Sequence, residues 1–421
     1  MIIRKLLRPL FADRSGNALV LVAFALPALI GAAGLGLDTV QWTLMQRQMQ
    51  READSAALAG AFARAQGANA TTAANASLTR DNLLSLTRTP VIERPPTAGS
   101  YTGNTEAIRV VLSTTKTLPF SNLFLRSPTT VRAEATAASL TNGTYCVISL
   151  ESSSAAGITM QGSARVNMGC GLATNSKGVP AVSASGSSTV TTSHVAAVGG
   201  LKATANYTAG TVLIPYTIPQ KDPYASLPTP TVPSPCSGGQ LSVGPNTTRN
   251  ITNPTGIACY SDMNLKGTVN FAPGLYYING GSVTLGSQAV VNGTGVTFIL
   301  TSSTAATNPS SIGSLSMNGG ATVHLSATTT GTYAGLLFYQ DRRAAAGGAN
   351  TVNGNSSSTL RGAFYFKSQD LSFSGDSGMT TDCVQMVSRR VTFTGNNSIV
   401  NTCPVDSGAH AFVGTRVYLV G

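Results

Sequence analysis

The segments ITMQGSARV (Ile158–Val166) and VSASGSSTV (Val182–Val190) are two copies of one pattern, met twice in close succession. Apolar and small residues alternate, a glycine follows, and a second short alternating run begins. That reads as a strand, a tight bend and another strand. The pattern returns as VTLGSQAV (Val283–Val290), LSMNGGATV (Leu315–Val323), LSFSG (Leu371–Gly375) and VTFTGNNSI (Val391–Ile399). A repeat of about 20–25 residues carrying one or two such strands marks a solenoid, in which each coil buries its inner face on the next. Residues 141–421 therefore read as a right-handed parallel β-solenoid, with a pair of β-sandwiches as the alternative fold.

The cysteines give the same register. Cys170 follows Cys146 by the same offset at which Val182 follows Ile158, and Cys403 follows Cys383 by the offset at which Val391 follows Leu371. These are the offsets of the first and last repeat pairs. Cysteines at one column of neighbouring coils stand about 4.8 Å apart, within disulfide reach. His194 takes the next position of the first column and reads as a stacked structural residue. Cys236 and Cys259, at nearly the same spacing, flank an excursion rich in proline, glycine and serine, which they would close. All six cysteines come after Leu140, an even count that suits three disulfides in an exported domain. None has C-x-x-C spacing, and His194, His324 and His410 are scattered, so no metal site is expected. Between the coils, Lys221–Pro235 (KDPYASLPTPTVPSP) is proline-dense, and Ser302–Ser311 and Ala344–Asn355 read as small-residue loops.

Working back toward the N-terminus, ALVLVAFALPALIGAAGLGL (Ala18–Leu37) is an uninterrupted run without a charge. At 1.5 Å per residue this spans a bilayer core about 30 Å thick. Pro27, Gly31, Gly34 and Gly36 within it are tolerated in membrane helices. Arg4, Lys5, Arg8 and Arg14 precede it against one acid, Asp13, while Asp38, Glu52 and Asp54 follow it with Arg47 and Arg51. That bias predicts a single pass with a cytoplasmic N-terminus and everything after Asp38 exported. A cleaved signal peptide would have a shorter core with a small-residue site directly after it.

The net charge of +11 first suggests nucleic acid, but outside the N-terminal tail no basic cluster exists to focus it on one face. No nucleic-acid partner is expected.

After the span, Asp38–Gln66 continues as helix, with no proline and one glycine. Val40, Leu44, Met45, Met49, Ala53, Ala56 and Ala57 form an apolar stripe at helical spacing. The small residues Ala53, Ala56, Ala57 and Gly60 would let either a partner helix or the chain's own domain approach closely. Residues 69–100 read as a connector with a helical patch near Asp81–Leu86 and breaks at Pro90, Pro95 and Pro96.

Arg14–Ala61 resembles the N-terminal segment of the TadE/TadG-like family. The likeness lies in Gly16-Asn17, Pro27 inside the span, Gly34 and Asp38 at its exit, Trp42, and the run from Ala53 to Ala61. Residues 105–139, with TEAIRVVLSTT and TVRAEATAAS, resemble the strands that follow this helix in the family. The resemblance implies a long pilin-like helix, a small α/β unit, and a role in assembling Flp-type tight-adherence pili. Processed members are cut after the glycine matching Gly16, before Asn17, and carry a glutamate five residues on. Leu21 stands there, so the chain is closer to the uncleaved TadG type. No D-x-S-x-S occurs, so the metal site of von Willebrand factor A domains is not carried over.

Parallel β-helices include polysaccharide-cleaving enzymes, which need clustered carboxylates. Between residues 141 and 300 the acids are Glu151, Asp222 and Asp262; the later candidates are Asp341, Asp370, Asp376, Asp382 and Asp406. Asp376 follows a bend glycine, where aspartate commonly forms turns. With no G-x-S-x-G or Walker motif, a non-enzymatic protein without cofactor is expected. Tyr276, Tyr277, Phe338, Tyr339, Phe364, Tyr365 and Phe366 could bind polysaccharide or another subunit on a flat face or could form stacked core columns; the columns are favoured.

The whole chain thus divides into a basic tail (1–17), a membrane helix (18–37), a helical stalk with a small α/β unit (38–140), and an exported β-solenoid (141–421) with a proline-rich insertion near 221–259. The expectation is a bacterial inner-membrane component of tight-adherence pilus assembly with its C-terminal domain in the periplasm or at the surface. Its expected partners are the membrane, other pilus subunits through the helix, and polysaccharide. A surface adhesin anchored by the same helix is the second reading, and a solenoid carbohydrate-active enzyme the third.

Overall fold

The computed structural model of the chain describes residues 17–80, 86–123, 128–355, 357–375, 380–395, 398–401 and 412–421. They fall into two units, residues 1–140 with 417–421, and residues 141–416.

The first unit is built on α1 (Asn17–Ala65), a single helix that passes through Pro27. At 1.5 Å per residue it is about 73 Å long. Its two halves have different surroundings. Val20, Leu21, Val22, Phe24, Leu26, Leu29, Ile30, Leu35 and Leu37 are all exposed. Among the described residues α1 is the one helix long and apolar enough to cross a membrane. In the second half, Met45, Met49, Ala53, Ala56, Ala57 and Ala61 are buried.

What covers that face is the unit's own sheet. Strands β1 (Val91–Glu93), β2 (Ala107–Lys116) and β3 (Thr129–Ser149) pair antiparallel, Val91 opposite Val111 and Ala107 opposite Ala138. Ile108, Val110 and Leu112 of β2, with Val131, Ala133, Ala135 and Ala137 of β3, turn one period-2 face onto the helix. Alanine on both sides brings helix and sheet close together, so the small-residue stripe is occupied within the chain rather than offered to a partner helix. Val40 and Leu44, expected in the same stripe, are exposed. Helix α2 (Ala70–Arg80) closes the core with Ala70 and Ala74. Its N-terminus is capped by Asn69, whose side chain accepts from the Thr72 amide at 3.0 Å. The helix therefore lies before the expected patch at Asp81–Leu86, of which residues 81–85 fall outside the described residues.

The second unit is a parallel β-solenoid of about 11 turns. The first strands of the six repeats read from the sequence fall on one face. Its nine strands are 240–243, 262–265, 283–285, 315–317, 349–354, 370–375, 391–395, 158–160 and 182–184, in that spatial order. The register is continuous: Leu241, Met263, Val283, Leu315, Asn350, Leu371, Val391, Ile158 and Val182 form one inward file. Eight of the nine are apolar, and each buries its side chain on the next coil. Asn350 breaks the file. It is fully buried, and its side-chain oxygen accepts from the Leu315 amide at 2.8 Å.

This order differs from chain order. The run 141–214 stacks beyond the last coil instead of before the first. At the seam Phe393 pairs with Met160, Ile399 with Val166, and Met386 with Val147. Arg390 meets Glu151 there at 2.6 Å.

Such an order requires a return path, and the proline-dense segment supplies it. Gln220 exchanges two hydrogen bonds with the Asn175 side chain, at 2.7 and 2.8 Å. Asp222 accepts from the Tyr365 hydroxyl at 2.7 Å. Arg342 donates to the carbonyls of Ala225 and Leu227, Arg343 to that of Pro230, and Cys236 is joined to Cys259. Between Asn175 and Cys259 lie seven strand-to-strand steps, about 34 Å. A sixteen-residue extended segment reaches about 50 Å, so the strap spans the distance with slack. Proline suits this role because a strap crossing strands has no ladder to donate to. The proline-dense stretch lies outside the Cys236–Cys259 loop, which instead encloses the end coil of strands 240–243, 248–251 and 257–260.

Candidate functional site

The strap decides which aromatics are accessible. Inside the solenoid, Tyr276, Phe298, Phe338 and Phe364 are register partners, stacked with ring centroids 5.5, 5.1 and 5.3 Å apart. The next residue on each of these strands faces outward: Tyr277, Ile299, Tyr339 and Tyr365. These are buried too, because Tyr224, Leu227 and Val232 of the strap pack over them. All seven aromatics read as a possible platform, Phe366 included, are buried. None is presented to a polysaccharide.

The two other faces carry polar files. Ser242, Asn264, Thr284, Ser316, Thr351, Ser372, Thr392, Thr159 and Ser183 are register partners along the outside of the nine-stranded face. On the remaining face Asn292 donates to Asn270 at 2.9 Å and Asn270 to Asn250 at 2.7 Å. His324 follows in the same register. A hydrogen-bonded asparagine file of this kind reinforces the stacking of coils.

The carboxylates read as catalytic candidates are held apart by cations and backbone donors. Burial works against the charge of Glu151, yet the Ser153 amide and Arg390 hold its carboxyl below the usual range. Asp341 is 1% exposed, and Arg343 and Thr301 outweigh the effect of burial to hold it low as well. Asp370 is gripped at both oxygens by Arg389, at 2.7 and 2.9 Å. Asp262 accepts from Gln240 and from the Ser282 amide. Asp376 and Asp406 lie outside the described residues, as does the side chain of Asp382. Among the described residues no three His, Cys, Asp or Glu side chains gather as a metal would require. Of these candidates, Glu151, Asp341 and Asp370 thus each neutralise an arginine, and Asp262 caps a backbone amide.

Cys146 and Cys170 form a disulfide between neighbouring coils, with Cα atoms 5.6 Å apart. Cys383 is buried; Cys403, its expected partner, lies outside the described residues. His194 sits beside these coils, its ring edge-on to Tyr145 at 4.7 Å and its Nδ1 2.9 Å from the Ser193 hydroxyl. Gly171 leaves the room for the ring: a Cβ there would stand 2.4 Å from His194 Nε2. Burial, helped by the Arg416 charge, lowers the His194 pKa from 6.5 to about 4.

In the first unit one polar anchor stands at the exit of the apolar half of α1. Asp38 is 2% exposed and accepts from the Phe120 amide at 3.0 Å, from the Ser121 hydroxyl at 2.7 Å and from the Ser121 amide. Burial disfavours its charge, but these donors prevail and hold the carboxyl below its usual range. One turn earlier, Gly34 leaves a notch filled by the Phe120 ring, where a Cβ would fall 2.2 Å from Phe120 Cδ1. The two exit positions noted in the sequence thus act together as notch and hook. Of the residues read as a processing point, Gly16 lies outside the described residues and Asn17 opens α1.

Comparison with known families matches residues 16–66 to the Tad model, described as putative Flp pilus-assembly TadE/G-like. That segment covers the apolar half of α1, the Gly34–Asp38 pair and the face that packs on β2 and β3. The comparisons with curated proteins and with solved structures each gave no match.

Proposed function

We propose that the chain is a non-enzymatic, membrane-anchored component of Flp-type pilus assembly, related to the TadG type, which holds a β-solenoid on the far side of the inner membrane. The observation that carries this reading is the coincidence of the Tad match at residues 16–66 with a helix whose first half is exposed and apolar. A helix with large apolar side chains exposed on its surface is unstable in water and suits lipid.

The arginine and lysine residues before Ala18 favour a cytoplasmic N-terminus. The Cys146–Cys170 and Cys236–Cys259 disulfides favour an oxidising compartment for the solenoid. A structural role is supported by the pinned carboxylates and by the burial of the aromatics, which leave the solenoid with flat polar faces.

The test is deletion of the gene followed by shearing of cells and separation of fibres from inner membrane. The proposal requires loss of Flp-type fibres on deletion, restored by the full chain, with the intact protein in the inner-membrane fraction. Normal fibres on deletion, with adhesion alone impaired, would replace it by the adhesin reading. A chain beginning at Asn17 in the fibre fraction would make it a processed minor subunit instead.

A further inference from the structure

We propose that the loop tip at Pro119 and Phe120 enters the lipid beside α1, with Leu118 buried beneath it, giving the chain a second membrane contact in addition to its helix. The inference rests on the reading of Ala18–Leu37 as a bilayer span and adds the depth of a loop to it. The loop's height along the helix is fixed twice. Phe120 fills the notch at Gly34, and Asp38, one turn later on the same side, takes the Phe120 and Ser121 amides. Gly34 lies inside the uncharged stretch, about 4.5 Å before its end at Leu37. Ile30, Leu35 and Leu37 around it are 55%, 44% and 58% exposed. A ring packed at that level is at the depth of acyl chains if the helix spans.

The loop is built for that depth. Thr117 to Leu123 carries no charge. Pro119, at its exposed tip, has no amide to satisfy, and the Asn122 amide donates to the Leu118 carbonyl at 2.9 Å. With Asp38 serving the amides of Phe120 and Ser121, the backbone donors at Phe120, Ser121 and Asn122 are met within the protein, as a segment in lipid requires. Among the described residues flanking the loop, charge and an amphipathic ring appear further out. Lys116, exposed at the end of β2, and Trp42, one turn beyond Asp38 and 44% exposed, suit the headgroup layer. Asp38 thus reads as the hook that holds an apolar loop against the helix at the membrane surface.

The experiment uses the full chain in vesicles of phosphatidylcholine and phosphatidylglycerol whose acyl chains are brominated, in a Trp42→Phe background so that each variant has one indole. Phe120→Trp and Pro119→Trp report on the loop. Leu29→Trp reports on the middle of the span, and Tyr216→Trp, 68% exposed on the solenoid, reports on water. The expected result is quenching of the two loop indoles at least half as strong as that of Leu29→Trp, with shallow bromines more effective for the loop and deep ones for position 29. Leu29→Trp quenched while both loop variants match Tyr216→Trp would overturn the proposal and leave the span intact. Absence of quenching at position 29 would overturn the span reading and the proposal with it. Pro119→Trp keeps the test valid if the larger ring at position 120 disturbs the notch.

Discussion

Thr159 and Thr392 face outward as register partners of adjacent strands, although they stand near opposite ends of the solenoid's sequence. Replacing both with cysteine, T159C with T392C, tests the swapped coil order directly. Their Cα atoms stand about 4.8 Å apart, as in any neighbouring pair of strands, and disulfides accept roughly 4.4–6.8 Å. A solenoid stacked in chain order would put these residues at the two ends of the nine-stranded face, eight steps or about 38 Å apart. The complementary pair is S183C with S242C. Those positions would be neighbours in chain order but occupy opposite ends of the observed face. Dilute oxidation, digestion without reductant and mass spectrometry of joined peptides reads both pairs. The expected outcome is a 159–392 link and no 183–242 link. The linked protein should also be stabilised by as much as about 5 kcal/mol, since the bond closes a very long loop in the unfolded chain. A 183–242 link without the other would refute the seam, and with it the strap.

Other consequences follow from single sites. Phe364→Ala removes a fully buried ring from the inner stack and should cost about 3–5 kcal/mol in denaturant unfolding. The depressed His194 pKa means that the fold favours the neutral ring, so its contribution is present above pH 6.5 and drains away as pH falls toward about 4. The loss is on the order of 3 kcal/mol, read as a larger drop in urea midpoint between pH 7.5 and 4 for the parent than for His194→Gln. Replacing Cys236 and Cys259 by serine should cost about 3.4 kcal/mol, because the bond closes a 23-residue separation in the unfolded chain. Asp38→Ala should raise hydrogen exchange at the Phe120 and Ser121 amides roughly tenfold or more, with the β2–β3 amides unchanged.

The features legible from the residues alone were the periodic ones. Val182 repeats Ile158 and Val391 repeats Leu371 because each coil buries the same column, so the solenoid could be read one coil at a time. The apolar run Ala18–Leu37 was equally legible, since length and lack of charge depend on no distant residue. Gly34 and Asp38 were visible as a pair at the helix exit, but the ring and amides they hold come from residues 120 and 121, which no local spacing connects to them.

Coil order, by contrast, came from contacts between distant parts of the chain. Every parallel strand edge in a repeat offers nearly the same partner to its neighbours, so Val391 could stack on Ile158 as well as on any other aliphatic column residue. Local pattern sets the register within a coil and is silent on which coil comes next. The choice lies in contacts across long separations, Arg390 with Glu151 at the seam and Arg342 with the strap carbonyls. The same contacts settled the aromatics. Tyr339 and Tyr365 alternate outward like surface residues, and only a segment far earlier in the chain makes them core.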